Sequence, residues 1–409
     1  MRRTALRLCG VLCAGVVAVT ASACAGSAAG GGGDAAEGDP IKIALVFDAS
    51  GPNAALGASQ KAGVEFAVAE ANEKGGIAGR KIEVYSADAQ STPDGAVAAA
   101  QQLVQRDGAK FIIGMVTSPA TLAISQRLES WDALAIADQA QLNDLTGKNC
   151  NARLFRTTQS DTMSFNSIGR WLKDNPLATW DTMSQDYSWG RNSAAAMQEG
   201  VQAQGGRVDK ALFAPIGTSD FAANLSQLAG GDGLFVSSNG SDAVNFFKQG
   251  LDFGTFANYK TVVGNTAFSS ATLDAVTDPR LAGMWNQNTW APGVDNPGAK
   301  AFVEAYTTKT GKAPTDVAGL AYLGMQTLFA GIEKAQSIDP KTVAKGLEGL
   351  EFDSIKGKVT MRAADHQLEA PVYMGQVEQV DGQNRLVEKF TYPASETLPP
   401  PDGSCQLAS

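Results

Sequence analysis

The alternation of short apolar runs with helical stretches between Ile41 and Asp138 constrains this chain more than any other feature. IKIALVF (41–47) is a nearly continuous apolar run, as expected of a strand buried on both faces of a parallel sheet. SGPNAALGAS leads into a helix carrying Ala62, Phe66 and Ala69 at helical spacing, and GGIAG (75–79) ends it. KIEVYSAD (81–88), KFIIGM (110–115) and ALAIAD (133–138) predict three more strands. STPDGAVAAAQQLVQ predicts a helix with Thr92-Pro93-Asp94 at its start. A βαβα series of this kind predicts a parallel sheet with helices on both faces.

The series begins again near LFRTTQSD (154–161). LATWDTMSQ, ALFAPI, GLFVSS and KTVVG are its strand candidates; SDFAANLSQL and DAVNFFKQGLD are helix candidates. After LAGMWNQNTWAPG (281–293), long helical segments return as NPGAKAFVEAYTTKTG and VAGLAYLGMQTLFAGIEKAQ. The stretch from Gly357 to Phe390 reads as β-hairpin material. Two α/β units with a late return of helices predict two lobes, several crossings between them, and a ligand site in the cleft.

One handover within the series carries chemistry. FIIGMVTSPATLAIS (111–125) passes from strand to helix through Thr117, Ser118 and Pro119. Ser118 suits an N-cap and Pro119 a first helical position. Free N–H groups at such a helix start favour an anionic group, and the carboxyl edge of an open α/β sheet is where ligands bind. A well-capped helix without a ligand is the plainer alternative.

Composition removes several function classes. The formal charge of the 409-residue chain is −9, against the basic face that nucleic-acid binding needs. His366 is the single histidine, which disfavours Ser-His-Asp or Cys-His chemistry and rules out a multi-histidine metal site. No H-E-x-x-H or G-x-S-x-G occurs, so an exported enzyme is a weak alternative, and no cofactor or metal is expected.

The N-terminus reads as a targeting segment. Arg2, Arg3 and Arg7 precede an apolar stretch, Leu8 to Thr20, too short to span a bilayer. ASAC (21–24) resembles a bacterial lipoprotein cleavage site, with Cys24 lipidated and 1–23 removed; Ala21 stands where a leucine is usual. Residues 24–40, rich in Gly and Ala, read as a flexible tether. Cys9 and Cys13 leave with the leader, so Cys150 and Cys405 remain in an oxidising setting. They are expected to form one disulfide that ties the tail (396–409) to the body, two free thiols being the alternative.

IALVFDASGPNAALG, NEKGGIAGRKIEVYSAD and GMVTSPATLAIS, followed by DLTGKNCNARLFRTT, QDYSWG and HQLEAPVY, resemble type I periplasmic solute-binding proteins. The branch resembled is the branched-chain amino-acid binders of ABC transporters. The resemblance spans about 41–395 and implies two Rossmann-like lobes joined by three crossings, placed here near Arg156, Met284 and Val359. Lobe one is then 41–156 plus 284–359, and lobe two 157–283 plus 360–395. It further implies an ABC permease and ATPase as partners, with the lipid as the only membrane attachment, on the outer face of the cell membrane.

The resemblance also assigns roles. Ser118, beside Thr117, matches the serine that holds a ligand carboxylate. Gln139 and Gln141 fall where the family contacts ligand after the fourth strand. Trp189, with Tyr187 beside it, falls where a lobe-two aromatic closes over the ligand. Three positions depart from the pattern. Leu56 replaces a wall aromatic, Asn239 replaces a tyrosine, and Thr266 stands where amino-acid binders carry the acid for the ligand ammonium. Asp138 and Asp186 are candidate substitutes for that acid. Gln139, Gln141, Gln159 and Asn239 suit an amide, a urea-like solute or a hydroxylated acid, whereas Trp189, Tyr187, Phe268 and Trp290 suit an aromatic acid. His366 is expected in an exposed turn and Arg156 in an inter-lobe ion pair. The implied function is solute capture for import by hinge closure, with a sensor subunit for a membrane receptor as the alternative.

Overall fold

The computed structural model describes residues 38–228 and 230–407. The leader 1–23, the lipidation at Cys24 and nearly all of the tether therefore lie outside the described residues. Five parallel strands make the first sheet: β1 (Ile41–Phe47), β2 (Ile82–Asp88), β3 (Phe111–Gly114), β4 (Leu134–Ala137) and β5 (Leu154–Arg156). Their order is β2-β1-β3-β4-β5, so the winding direction reverses between β1 and β3. In β1 the period of two sorts the side chains. Ile43 and Leu45 face one layer, with helices Ala54–Glu73 and Asp316–Ala335. Ala44 and Val46 face the other, with helices Pro93–Asp107 and Ser118–Ser125. The two long helices of the first layer touch at Gly63, where a Cβ would lie 2.2 Å from Ala318 O.

The second lobe holds β6 (Thr179–Gln185), β7 (Arg207–Ala214), β8 (Gly231–Ser237), β9 (Tyr259–Asn265) and β10 (Trp285–Asn288). A three-stranded sheet of β11 (Glu351–Ser354), β12 (Gly357–Met361) and β13 (Leu368–Glu369) follows the long helices. The hairpin β14 (Val372–Val380) and β15 (Gln383–Tyr392) then completes the second sheet, ordered β15-β14-β10-β9-β8-β6-β7. The hairpin and the β10–β14 pair are antiparallel; the remaining pairs are parallel.

Two expected boundaries move. β10 pairs with β9 and β14, so the second crossing follows Asn288 rather than Met284. WNQN carries no apolar run; its buried amides bond inside the lobe, with Asn286 Oδ1 accepting from Phe268 N at 3.2 Å. Residues 360–369 pair with β12, and Met361 and Leu368 are buried in the first lobe, so the third crossing lies near Ala370 rather than Val359.

The three crossings are laced together. Thr158 Oγ1 and Thr289 Oγ1 are 3.3 Å apart, and Gln367 Nε2 donates to Thr158 O at 2.9 Å. Arg156 Nε donates to Gln367 Oε1 at 2.6 Å. The expected ion pair of Arg156 is not formed among the described residues. Its remaining bonds reach Gln141 O, Leu142 O and Thr146 Oγ1, all neutral. Burial without a carboxylate in contact lowers its pKa to about 10. His366 is also corrected: it is 1% exposed, stacks on Phe155 with centroids 3.9 Å apart, and points Nδ1 at Leu154 O, 3.1 Å away. Its polar neighbours in sequence hid packing that arises only when the third crossing docks on β5.

Cys150 and Cys405 form the expected disulfide. Before reaching it, the tail is held by both lobes. Asn166 Nδ2 donates to Thr397 O at 2.7 Å from the second lobe, and Arg362 Nη1 to Pro399 O at 2.8 Å from the first.

Candidate functional site

Strand carboxyl ends of both sheets converge on a partly enclosed cavity of about 60 Å3 between the lobes. Each water-sized group needs ~10–15 Å3 by this measure, so the space takes about four to six waters, the bulk of a compact amino acid or a one-ring acid. The first lobe supplies Leu56 and Ser118 from the helices that follow β1 and β3, and Gln139 and Gln141 from the segment after β4. Second-lobe loops supply Tyr187 and Trp189 after β6, Asn239 after β8, and Thr266 after β9. Eight of the ten expected residues thus come together from segments far apart in sequence.

The other two stand behind the wall. Thr117, not Ser118, occupies the N-cap position of helix Ser118–Ser125, and its carbonyl accepts from Thr121 N at 3.1 Å. The hydroxyl of Ser118 is therefore not used as a cap; it accepts from Leu142 N at 3.4 Å, while the Ser118 backbone N–H has no partner among the described residues. Asp138 points into the first-lobe core, where Gln60 Nε2 donates to both its oxygens at 3.0 Å. Burial raises the pKa of Asp138 to about 7. Asp186, the other candidate acid, is exposed and paired with Arg191 at 2.5 Å. Phe268 is buried in the second lobe, stacked on Phe247, and Gln159 is bonded to Gln287 and Ser164 in the hinge; neither lines the cavity.

Sequence reasoning missed Val116, Ser269, Asn288, Thr289, Val317 and Leu320 in the wall. Trp290, expected to suit an aromatic acid, lines the cavity and is fully buried. The most consequential omission is Asp316, the first residue of helix Asp316–Ala335. Thr-Asp at a helix start was the available signal, but it marks many helices that line nothing.

The lobes touch across this cavity. Trp189 Nε1 donates to Gln141 Oε1 at 3.3 Å, Ser241 N to Pro52 O at 3.0 Å, and Ser270 N to Asp316 Oδ1 at 3.0 Å. Thr266 takes φ 54°, a left-handed backbone that costs a non-glycine residue about 1 kcal/mol or more, and Gln287 O fixes it by accepting its N–H at 3.0 Å. In the cavity wall, Gln139 Nε2, Asn288 Oδ1 and Trp290 Nε1 are buried without a hydrogen-bond partner among the described residues. Such orphans in a cavity mark places where an occupant would complete the bonding.

Two α/β lobes, three laced crossings and an enclosed cavity between strand ends define a clamshell binding protein. Residues 40–384 match the periplasmic binding protein family, and the chain belongs to it. It is similar to Leu/Ile/Val-binding protein homolog 4 of Brucella abortus, 26% identical over 410 residues, 94% of this chain and 96% of that protein. It is also similar to the leucine-, isoleucine-, valine-, threonine- and alanine-binding protein of Pseudomonas aeruginosa, 29% identical over 330 residues, 78% of this chain and 85% of the other. A solute-binding protein of an ABC transporter from Rhodopseudomonas palustris, solved with 3,4-dihydroxybenzoic acid, shares the fold with a TM-score of 0.80 at 24% identity; the match covers 87% of this chain and 98% of that one.

Proposed function

We propose that this protein is the extracytoplasmic substrate-binding component of an ABC importer, held to the outer face of the membrane by a lipid on Cys24. It captures one small organic acid in the interlobe cavity and presents the closed form to a permease driven by an ATPase. Ser118, at a helix start with a free N–H, is the carboxylate seat. Gln139 and Gln141 contact the solute from the same lobe, and Tyr187, Trp189, Asn239 and Thr266 close over it. Leu56 leaves room where a bulkier wall would narrow the cavity.

The observation that carries this reading is the enclosed cavity itself, walled by loops of both lobes and holding unpartnered polar groups. Amino-acid binding among the curated relatives and aromatic-acid binding in the structural neighbour bracket the solute class. Closure follows from differential affinity, because a solute that touches both lobes binds the closed form better than the open one.

A thermal-shift screen of amino acids, small amides and aromatic acids tests the reading. One class should stabilise the protein, by about 2.7 kcal/mol at 100 times its dissociation constant. No stabilisation by any of them, in a folded sample, would refute it.

A further inference from the structure

The position expected to hold an acid for a ligand ammonium carries Thr266, yet the cavity does contain a carboxylate. Among the described lining residues, Asp316 is the one acid, and no lysine, arginine or histidine is present. It comes from the opposite lobe to Thr266. Asp316 Oδ1 accepts from Ser270 N at 3.0 Å, and Asp316 N donates to Ser270 Oγ at 3.2 Å, a reciprocal pair across the mouth of the cleft. A carboxylate offers about four acceptor sites, so this bond leaves room for a second donor. In the same wall, the acceptor Asn288 Oδ1 is buried without a partner. These acceptors, beside the unpartnered donors Gln139 Nε2 and Trp290 Nε1 of the same wall, suit a solute that carries both an N–H-rich group and an acceptor such as a carboxylate.

Charge balance points the same way. A simple carboxylic acid would place a second negative charge in a small enclosed space that has no cation. A solute that also carries a protonated amine leaves one negative charge in place of two: the amine pairs with Asp316, and the solute's acid end rests on the helix start at Ser118. Burial raises the pKa of Asp316, the cost that a partner cation would offset.

We propose that Asp316 is the specificity-determining acid of this cavity: it pairs from the first lobe with a protonated amine of the solute, while Ser270 of the second lobe grips the same carboxylate. Recognition of the amine and closure of the lobes then share one side chain. The inference rests on the solute-binding reading above and narrows it to amine-bearing acids.

Calorimetry on the full chain tests it, with the twenty protein amino acids, 4-methylpentanoate as leucine without its amine, benzoate, and 3,4-dihydroxybenzoate as probes. The wild type should bind at least one amino acid, and should bind 4-methylpentanoate and the benzoates about 100-fold more weakly or not at all. Asp316→Asn should weaken the amino acid by about 30-fold or more and leave the amine-free acids within about threefold, collapsing the discrimination. Asp316→Glu should recover part of it. Ser270→Ala keeps the backbone donor, so it should lower all affinities modestly without changing their ratio. Melting curves of the unliganded variants establish that each is folded. Tighter binding of a benzoate than of every amino acid, or amino-acid binding unchanged in Asp316→Asn, would overturn the assignment while leaving solute capture intact. Binding of no probe by the wild type would instead count against the solute-binding reading, and this inference would fall with it.

Discussion

The indole nitrogen of Trp189 donates to Oε1 of Gln141, 3.3 Å away, and so joins the second lobe to the first beside the cavity. The same oxygen accepts from Ser164 Oγ at 3.0 Å, and the Gln141 carbonyl accepts from Asp161 N at 2.7 Å. Gln141 is thus a post against which the second lobe shuts. Trp189→Ala removes both wall area and bond, and solute affinity should fall about 30- to 300-fold. Trp189→Phe keeps most of the area and should cost about 3- to 10-fold. Calorimetry with the solute found by screening distinguishes them; equal losses would mean that the aromatic wall contributes little.

Ser118→Ala should weaken a carboxylate-bearing solute about 10- to 100-fold, the worth of a hydrogen bond to a charged group. Thr117→Ala, one residue away but behind the wall, should change affinity less than about threefold. Competition binding reads both, and the contrast between neighbours separates a contact from a general disturbance of the helix start.

Asp138 makes stability depend on pH with a definite sign. Its folded pKa of about 7 lies above the ordinary aspartate value of 3.8, so between these limits the folded chain holds a proton that the unfolded chain has released. Stability therefore falls as pH rises from about 4 to 7 and levels off above. Asp138→Asn should remove that share of the decline and be more stable than wild type at pH 8, by up to roughly 4 kcal/mol. Asp161, also raised to about 7 by burial, keeps part of the slope in the variant. Urea titrations at several pH values check this.

Arg156→Met should destabilise the hinge. Gln367 Oε1, Thr146 Oγ1 and the carbonyls of Gln141 and Leu142 would lose their common donor inside the protein. A loss of about 3–5 kcal/mol is expected, visible as a lower urea midpoint.

Much of the architecture was readable because β1, β3 and β4 are apolar runs buried on both faces, which periodicity detects. β10 escaped because WNQN is polar, and its buried amides Asn286 and Gln287 make long-range bonds that no local pattern announces. His366 and Arg156 were misjudged for the same reason: their neutral partners come from segments distant in sequence. In the cavity, residues just after strands were legible because the sheet edge fixes where such loops point. Asp316 was not, since it enters from a helix start whose placement depends on how the third sheet and the long helices pack.

The Cys150–Cys405 bond should also be measurable in function. Replacing both with serine should lower the stability by several kcal/mol in the loop-closure account, visible as a lower melting temperature. The chain leaves the second lobe after Tyr392, is pinned to that lobe at Thr397, then reaches the first lobe at Pro399 and Cys150. It therefore acts as a door chain across the back of the clamshell: however the jaws swing, their travel is capped by the slack in one short strap, and a reducing environment would unhook it.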